Sequence, residues 1–151
     1  MPMNYLLDTN ILVCFIRKSP LGDKLIGEFD LFGVKNLTMI SIASHGEILS
    51  LCHQFGWGDK KRNNLTKILN QFLIIPIEAK DLVDAYAEID AYSQGKLDLK
   101  PLPFGFTSKN MGKNDLWIAA TALVTKSTLI TTDADFDHLT PEVIQVIKVN
   151  L

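Results

Sequence analysis

Apolar and polar positions change rhythm repeatedly along this chain. Short apolar, β-branched-rich runs occur at Tyr5–Leu7, Leu37–Ala43, Leu73–Ile77, Thr128–Thr131 and Val143–Val149. Each reads as a strand, the first two as fully buried ones. Pro76 places the third at a sheet edge or ends it early. Between the strands the apolar positions fall into helical spacing. Ile11–Arg17 forms a short helix stopped near Ser19-Pro20. Leu21–Phe32 forms a second, with Leu25, Ile26 and Phe29 on one face. Ser44 is expected to cap a third, with Glu47 in capping-box spacing and Ile48, Leu51, Cys52 and Phe55 as its apolar face. Gly56 to Asp59 breaks it. Helices over Lys60–Phe72 and Glu78–Ser93 follow, and Asn114 is expected to cap a last one that opens with Asp115. Gly95–Lys113 is a long irregular connection, with Pro101, Pro103 and three glycines. Strands alternating with helices imply an α/β fold with a mostly parallel sheet and helices on both faces.

That rhythm puts four acids in related places. Asp8 and Asp133 follow strands; Glu47 and Asp115 stand at helix N-termini. In open α/β sheets, ligands bind outside the carboxyl ends of the strands. Capping and the helix dipole account for any one of these acids. They do not account for Asp115, whose helix continues through Ile118, Ala119, Ala122 and Leu123 on the same face. Clustered carboxylates repel and raise one another's pKa. A hard divalent cation, Mg²⁺ or Mn²⁺, relieves that repulsion through oxygen ligands.

Composition adds limits rather than direction. The 151 residues are 47% apolar and 21% charged, which fits a single domain over 1–151 with a substantial core. No apolar run approaches a membrane span and no secretory signal is visible, so a cytoplasmic protein without a membrane partner is expected. Cys14 and Cys52 fall in apolar helical patterns and read as buried free thiols. His45, His53 and His138 are scattered and show no metal-ligand spacing. The net charge is −2, and setting the four acids aside leaves +2. Charge therefore neither supports nor excludes a polyanionic substrate.

The residues Leu6-Leu7-Asp8-Thr9-Asn10, Glu47, Asn114-Asp115-Leu116-Trp117-Ile118-Ala119-Ala120 and Thr131-Thr132-Asp133, with Asp135-Phe136 behind, resemble the PIN-domain family over nearly the whole chain. Within it the chain is similar to toxin ribonucleases of VapBC-type toxin–antitoxin pairs. The resemblance implies a three-layer α/β/α fold with a five-stranded parallel sheet of order 3-2-1-4-5. It implies a metal-dependent endoribonuclease, with Asp8, Glu47, Asp115 and Asp133 as catalytic and metal-site residues. Asp8 and Asp115 are then the first candidates for direct ligands, and Glu47 and Asp133 either bind a second metal or orient water. Asn10 and Thr132 either hold waters or carboxylates there, or make only local turn hydrogen bonds. The family also implies an RNA substrate, a cognate antitoxin protein and a homodimer. Gly46 before Glu47 and the long loop up to Lys113 depart from the pattern and bear on substrate choice.

Three surfaces stay open. Lys96, Lys100, Lys109 and Lys113 either track an RNA backbone or decorate a solvated loop. Trp57 and Trp117 either stack bases or pack. The faces at Leu25, Ile26 and Phe29 and at Leu51 and Phe55 either receive an antitoxin helix or complete the core. Two rival readings also place an acid after the first strand. A haloacid-dehalogenase-type phosphatase needs a second Asp where this chain has Asn10. A non-catalytic phosphoacceptor domain does not need Glu47 and Asp115.

Overall fold

The computed structural model describes residues 2–150. The strands Asn4–Leu7 (β1), Leu37–Ser41 (β2), Leu73–Ile75 (β3), Thr128–Thr131 (β4) and Gln145–Lys148 (β5) form one parallel sheet, in the order β3-β2-β1-β4-β5. Alternate side chains of a strand point to opposite faces, and the two cores divide accordingly. Leu7, Ile40 and Ile130 face one core, built with the helices Thr9–Ile16 (α1), Pro20–Phe29 (α2), Ile42–Gln54 (α3) and Asp59–Leu69 (α4). Leu6, Met39 and Leu129 face the other, built with Lys80–Ser93 (α5), Lys113–Thr125 (α6) and the 3₁₀ turn Ala134–Leu139. The result is the expected three-layer α/β/α arrangement. β3 lies at the sheet edge and stops before Pro76, the place its missing N–H allows. No helix among the described residues is long and apolar enough to cross a membrane.

Two helix caps differ from expectation. α3 begins at Ile42, and its cap is Ser41, whose Oγ accepts from Ala43 N at 3.1 Å. Ser44 is not the cap but lies buried in the helix, so Glu47 stands in the second turn rather than the first. α6 begins at Lys113 after Gly112, with no side-chain cap; Asn114 is already helical. In both cases the helix starts before the polar residue that the sequence offers as its cap.

The 95–112 connection has no helix or strand, yet it is tied down. Lys109 N donates to Ser93 O at 2.9 Å. Met111 is buried, and Leu97 and Leu102 pack on the second core. Ser93 Oγ meets His138 Nε2 at 2.7 Å beneath it. His138 is 1% exposed and is a packing residue. Cys14 and Cys52 are buried free thiols. The apolar face at Leu25, Ile26 and Phe29 completes the first core, as does Leu51; Phe55, 60% exposed, does not.

Candidate active site

The site grows from the register of β1 against β4. Leu7 pairs with Ile130, so the next residues, Asp8 and Thr131, emerge side by side. Asp8 N donates to Ile130 O at 3.0 Å, continuing the ladder by one bond. Asp8 then caps α1, its Oδ1 accepting from Thr9 N at 2.8 Å. Its Oδ2 accepts from Thr131 Oγ1 at 2.7 Å. Thr131 Oγ1 in turn accepts from Asp133 N at 3.0 Å. One hydroxyl thus fixes two acids from strands far apart in sequence.

The other acids arrive on neighbouring elements. Glu47 comes from α3, and its Oε1 accepts from Thr9 Oγ1 at 3.0 Å. Asp115 sits in the first turn of α6, half-buried. Asp133 caps the 3₁₀ turn, its Oδ1 accepting from Asp135 N at 2.8 Å. Asp8, Glu47, Asp115 and Asp133 all line one cavity of about 670 Å³ beyond the carboxyl ends of β1 and β4. All four acids singled out in the sequence are therefore brought together. The tightest group is different: one carboxylate oxygen each from Asp115, Asp133 and Asp135 lie within 4.8 Å of one another.

Asp135 was not among those four. Its signal in the sequence was the Asp-x-Asp spacing from Asp133, which a 3₁₀ turn converts into neighbouring carboxylates. Thr131, likewise unmarked, takes the carboxylate-holding role considered for Thr132, which does not line the cavity. Asn10 does line it.

The electrostatics follow from this crowding. Burial, then the charges of Asp8, Asp133, Glu47 and Asp135, push the Asp115 carboxyl up to about 7. Burial also raises Asp8, against the hydrogen bonds from Thr131 and Thr9 that favour its charged form. Among the described residues, the one cation paired with the group is Lys109, whose Nζ is 3.5 Å from Asp135 Oδ1.

A family model described as the PIN domain matches residues 5–140. The chain belongs to the PIN-domain family. No curated protein matches the sequence. Among solved structures, a chain of VapBC2 from Rickettsia felis, bound to a DNA fragment from its promoter, superposes with a TM-score of 0.74 at 23% identity, covering 98% of this chain and 100% of that one. A chain of FitAcB from Neisseria gonorrhoeae gives 0.67 at 24% identity, covering 95% and 96%. A chain of VapBC-1 from nontypeable Haemophilus influenzae gives 0.68 at 20%, covering 97% and 98%. At these identities the likeness establishes the fold.

The acidic cavity of this PIN domain fits a metal site on its own chemistry. Its charged donors are carboxylate oxygens, which suit hard divalent cations. A carboxyl pushed up to about 7 by burial, and then by the acids around it, marks negative charge that the protein leaves uncompensated.

Proposed function

We propose that this PIN domain is a Mg²⁺- or Mn²⁺-dependent endoribonuclease and the toxin of a toxin–antitoxin pair. The observation that carries the reading is the convergence of Asp8, Glu47, Asp115 and Asp133 on one cavity. Asp115 and Asp133, with Asp135, are the residues to hold a cation, since one oxygen from each lies within 4.8 Å of the others. When bound, the cation supplies a more acidic water and neutralises charge on the phosphodiester oxygens. The chain's own residues do the rest. Thr131 and Thr9 each hold one oxygen of Asp8, which fixes the direction of its remaining lone pairs toward the cavity. Glu47, clamped through Oε1 by Thr9, keeps Oε2 to orient water or take its proton.

The toxin part of the reading is supported by the fold: structures that superpose on nearly the full chain are named as VapBC and FitAcB assemblies, and another as a toxin–antitoxin complex from Klebsiella pneumoniae. An antitoxin partner in the cytoplasm follows for this chain. A homodimer follows from the family resemblance alone.

Purified protein incubated with cellular RNA and Mn²⁺ should produce defined new 5′ ends, read by sequencing. Asp115→Asn should abolish them while leaving the fold intact. Full cleavage by that variant would sink the reading. An acid-labile phosphoryl adduct on Asp8 would instead favour a phosphatase or phosphoacceptor.

A further inference from the structure

A second cleft lies at the opposite end of α1 from the acids. It measures about 610 Å³ and is lined by Arg17 and Lys18 from the end of α1 and by Lys60, Lys61 and Asn64 from α4, with Asp59 as its one acid. In a chain of net charge −2, four cations against one acid is a local reversal of sign. Arg17, Lys18, Lys60 and Lys61 are exposed, and among the described residues none is in an ion pair. Lys61 is held in place from below: its Nζ lies 4.8 Å from the centre of the Trp57 ring. Trp57 itself is 8% exposed, so it supports Lys61 and does not stack on a base. α4 also starts after Gly58 with no side-chain cap, so its first-turn amides have no side-chain acceptor, and Gly58, Asp59, Lys60 and Lys61 line the cleft.

The cleft and the acidic cavity both draw lining residues from α1. Asn10 lines the cavity and Arg17 lines the cleft. They are seven residues apart on one face of α1, about 10 Å along its axis. Gln54 at the end of α3 lines the cavity, and Gly58, just beyond it, lines the cleft. A polyanion whose reacting phosphate enters among carboxylates is repelled there, and its flanking phosphates need cations within a few nucleotides. Cations stand on both walls here, which suits a threaded phosphate chain. The cleft offers Ile16 as its one large apolar contact, so a helical protein segment finds no row of anchors. Its volume takes a short stretch of one strand rather than a duplex.

We propose that this basic cleft between α1 and α4 binds the phosphate backbone of single-stranded RNA flanking the bond at the acidic cavity. The proposal rests on the ribonuclease reading for its substrate, and its test is separable from that reading. Binding of fluorescently labelled oligouridylate is measured in EDTA, where metal-dependent cleavage is off, across a salt series. The triple variant Arg17→Gln/Lys60→Gln/Lys61→Gln changes only exposed side chains, and an unchanged melting temperature checks its fold. Its affinity should fall roughly tenfold or more, and the slope of log K against log salt should become shallower by about 2, since each single-strand phosphate contact contributes about 0.7. Wild-type affinity and slope in the variant would overturn the proposal. So would unchanged RNA binding together with lost binding of polyglutamate, which would make the cleft a docking site for an acidic protein segment. In the same salt series Asp115→Asn should keep the wild-type slope. Absence of cleavage by the wild-type protein in Mn²⁺ would remove the ribonuclease reading, while the slope comparison would still decide the cleft.

Discussion

Thr131 Oγ1 donates to Asp8 Oδ2 at 2.7 Å, across 123 residues of chain. The same oxygen accepts from Asp133 N at 3.0 Å. Both ends of the bond are buried. The hydroxyl therefore orients one acid through its proton and a second through its lone pair. Thr131→Val keeps the shape and removes both interactions. It should cost about 1–3 kcal/mol of stability, because Asp8 loses a buried donor. It should also weaken Mn²⁺ binding by roughly 10- to 100-fold, the usual effect of losing a hydrogen bond that orients a ligand. Thr131→Ser should restore most of both. Calorimetric Mn²⁺ titration and thermal melts check this; Val and Ser variants that bind alike would refute the orienting role.

Asp115 gives a pH dependence of known sign. Its carboxyl is pushed to about 7 in the fold from an ordinary value of 3.8, chiefly by burial and then by Asp8. The folded state thus holds its proton more tightly than the unfolded chain does. The stabilisation this brings is fully present below about pH 4 and is lost as pH rises through about 7. Without metal, Asp115→Asn should match the wild type at about pH 4 and melt higher than it by a few degrees above about pH 7. Excess Mn²⁺ should narrow the gap by stabilising the wild type alone. Melting curves at several pH values, with EDTA or Mn²⁺, show it. A gap that does not change with pH would contradict the crowding.

Asp135 and Asp137 make an internal comparison. Asp135 shares the carboxylate group with Asp115 and Asp133. Asp137, on the same 3₁₀ turn, pairs instead with Lys148 at 2.6 Å. Asp135→Asn should lower Mn²⁺ affinity by roughly tenfold or more, on the scale of losing one orienting or ligating group. Asp137→Asn should leave it unchanged and lose less than about 1 kcal/mol of stability, as a partly exposed pair does. Equal effects of the two would show that the turn, and not the Asp135 carboxylate, matters.

Much of this architecture is written locally. Thr128–Thr131 is a strand in the sequence pattern and in the structure alike, and Pro76 marks an edge strand because it has no N–H to give a neighbour. Alternation of strand and helix forces parallel crossovers, and these carry every strand's carboxyl end to one side of the sheet. That is why Asp8, Glu47, Asp115 and Asp133 are legible as a group in the sequence itself. What the pattern missed was decided between distant segments. Thr131 looks like one more β-branched strand residue until β1 and β4 align and bring it to Asp8. Ser41 outcompetes Ser44 as a cap because β2 ends where its neighbours stop pairing with it, which no capping signal encodes. Arg17 and Lys61 belong to different helices, and packing of α1 against α4 sets them in one cleft. Periodicity records which side of an element is buried; register and helix packing decide which polar groups meet, because those depend on partners far along the chain.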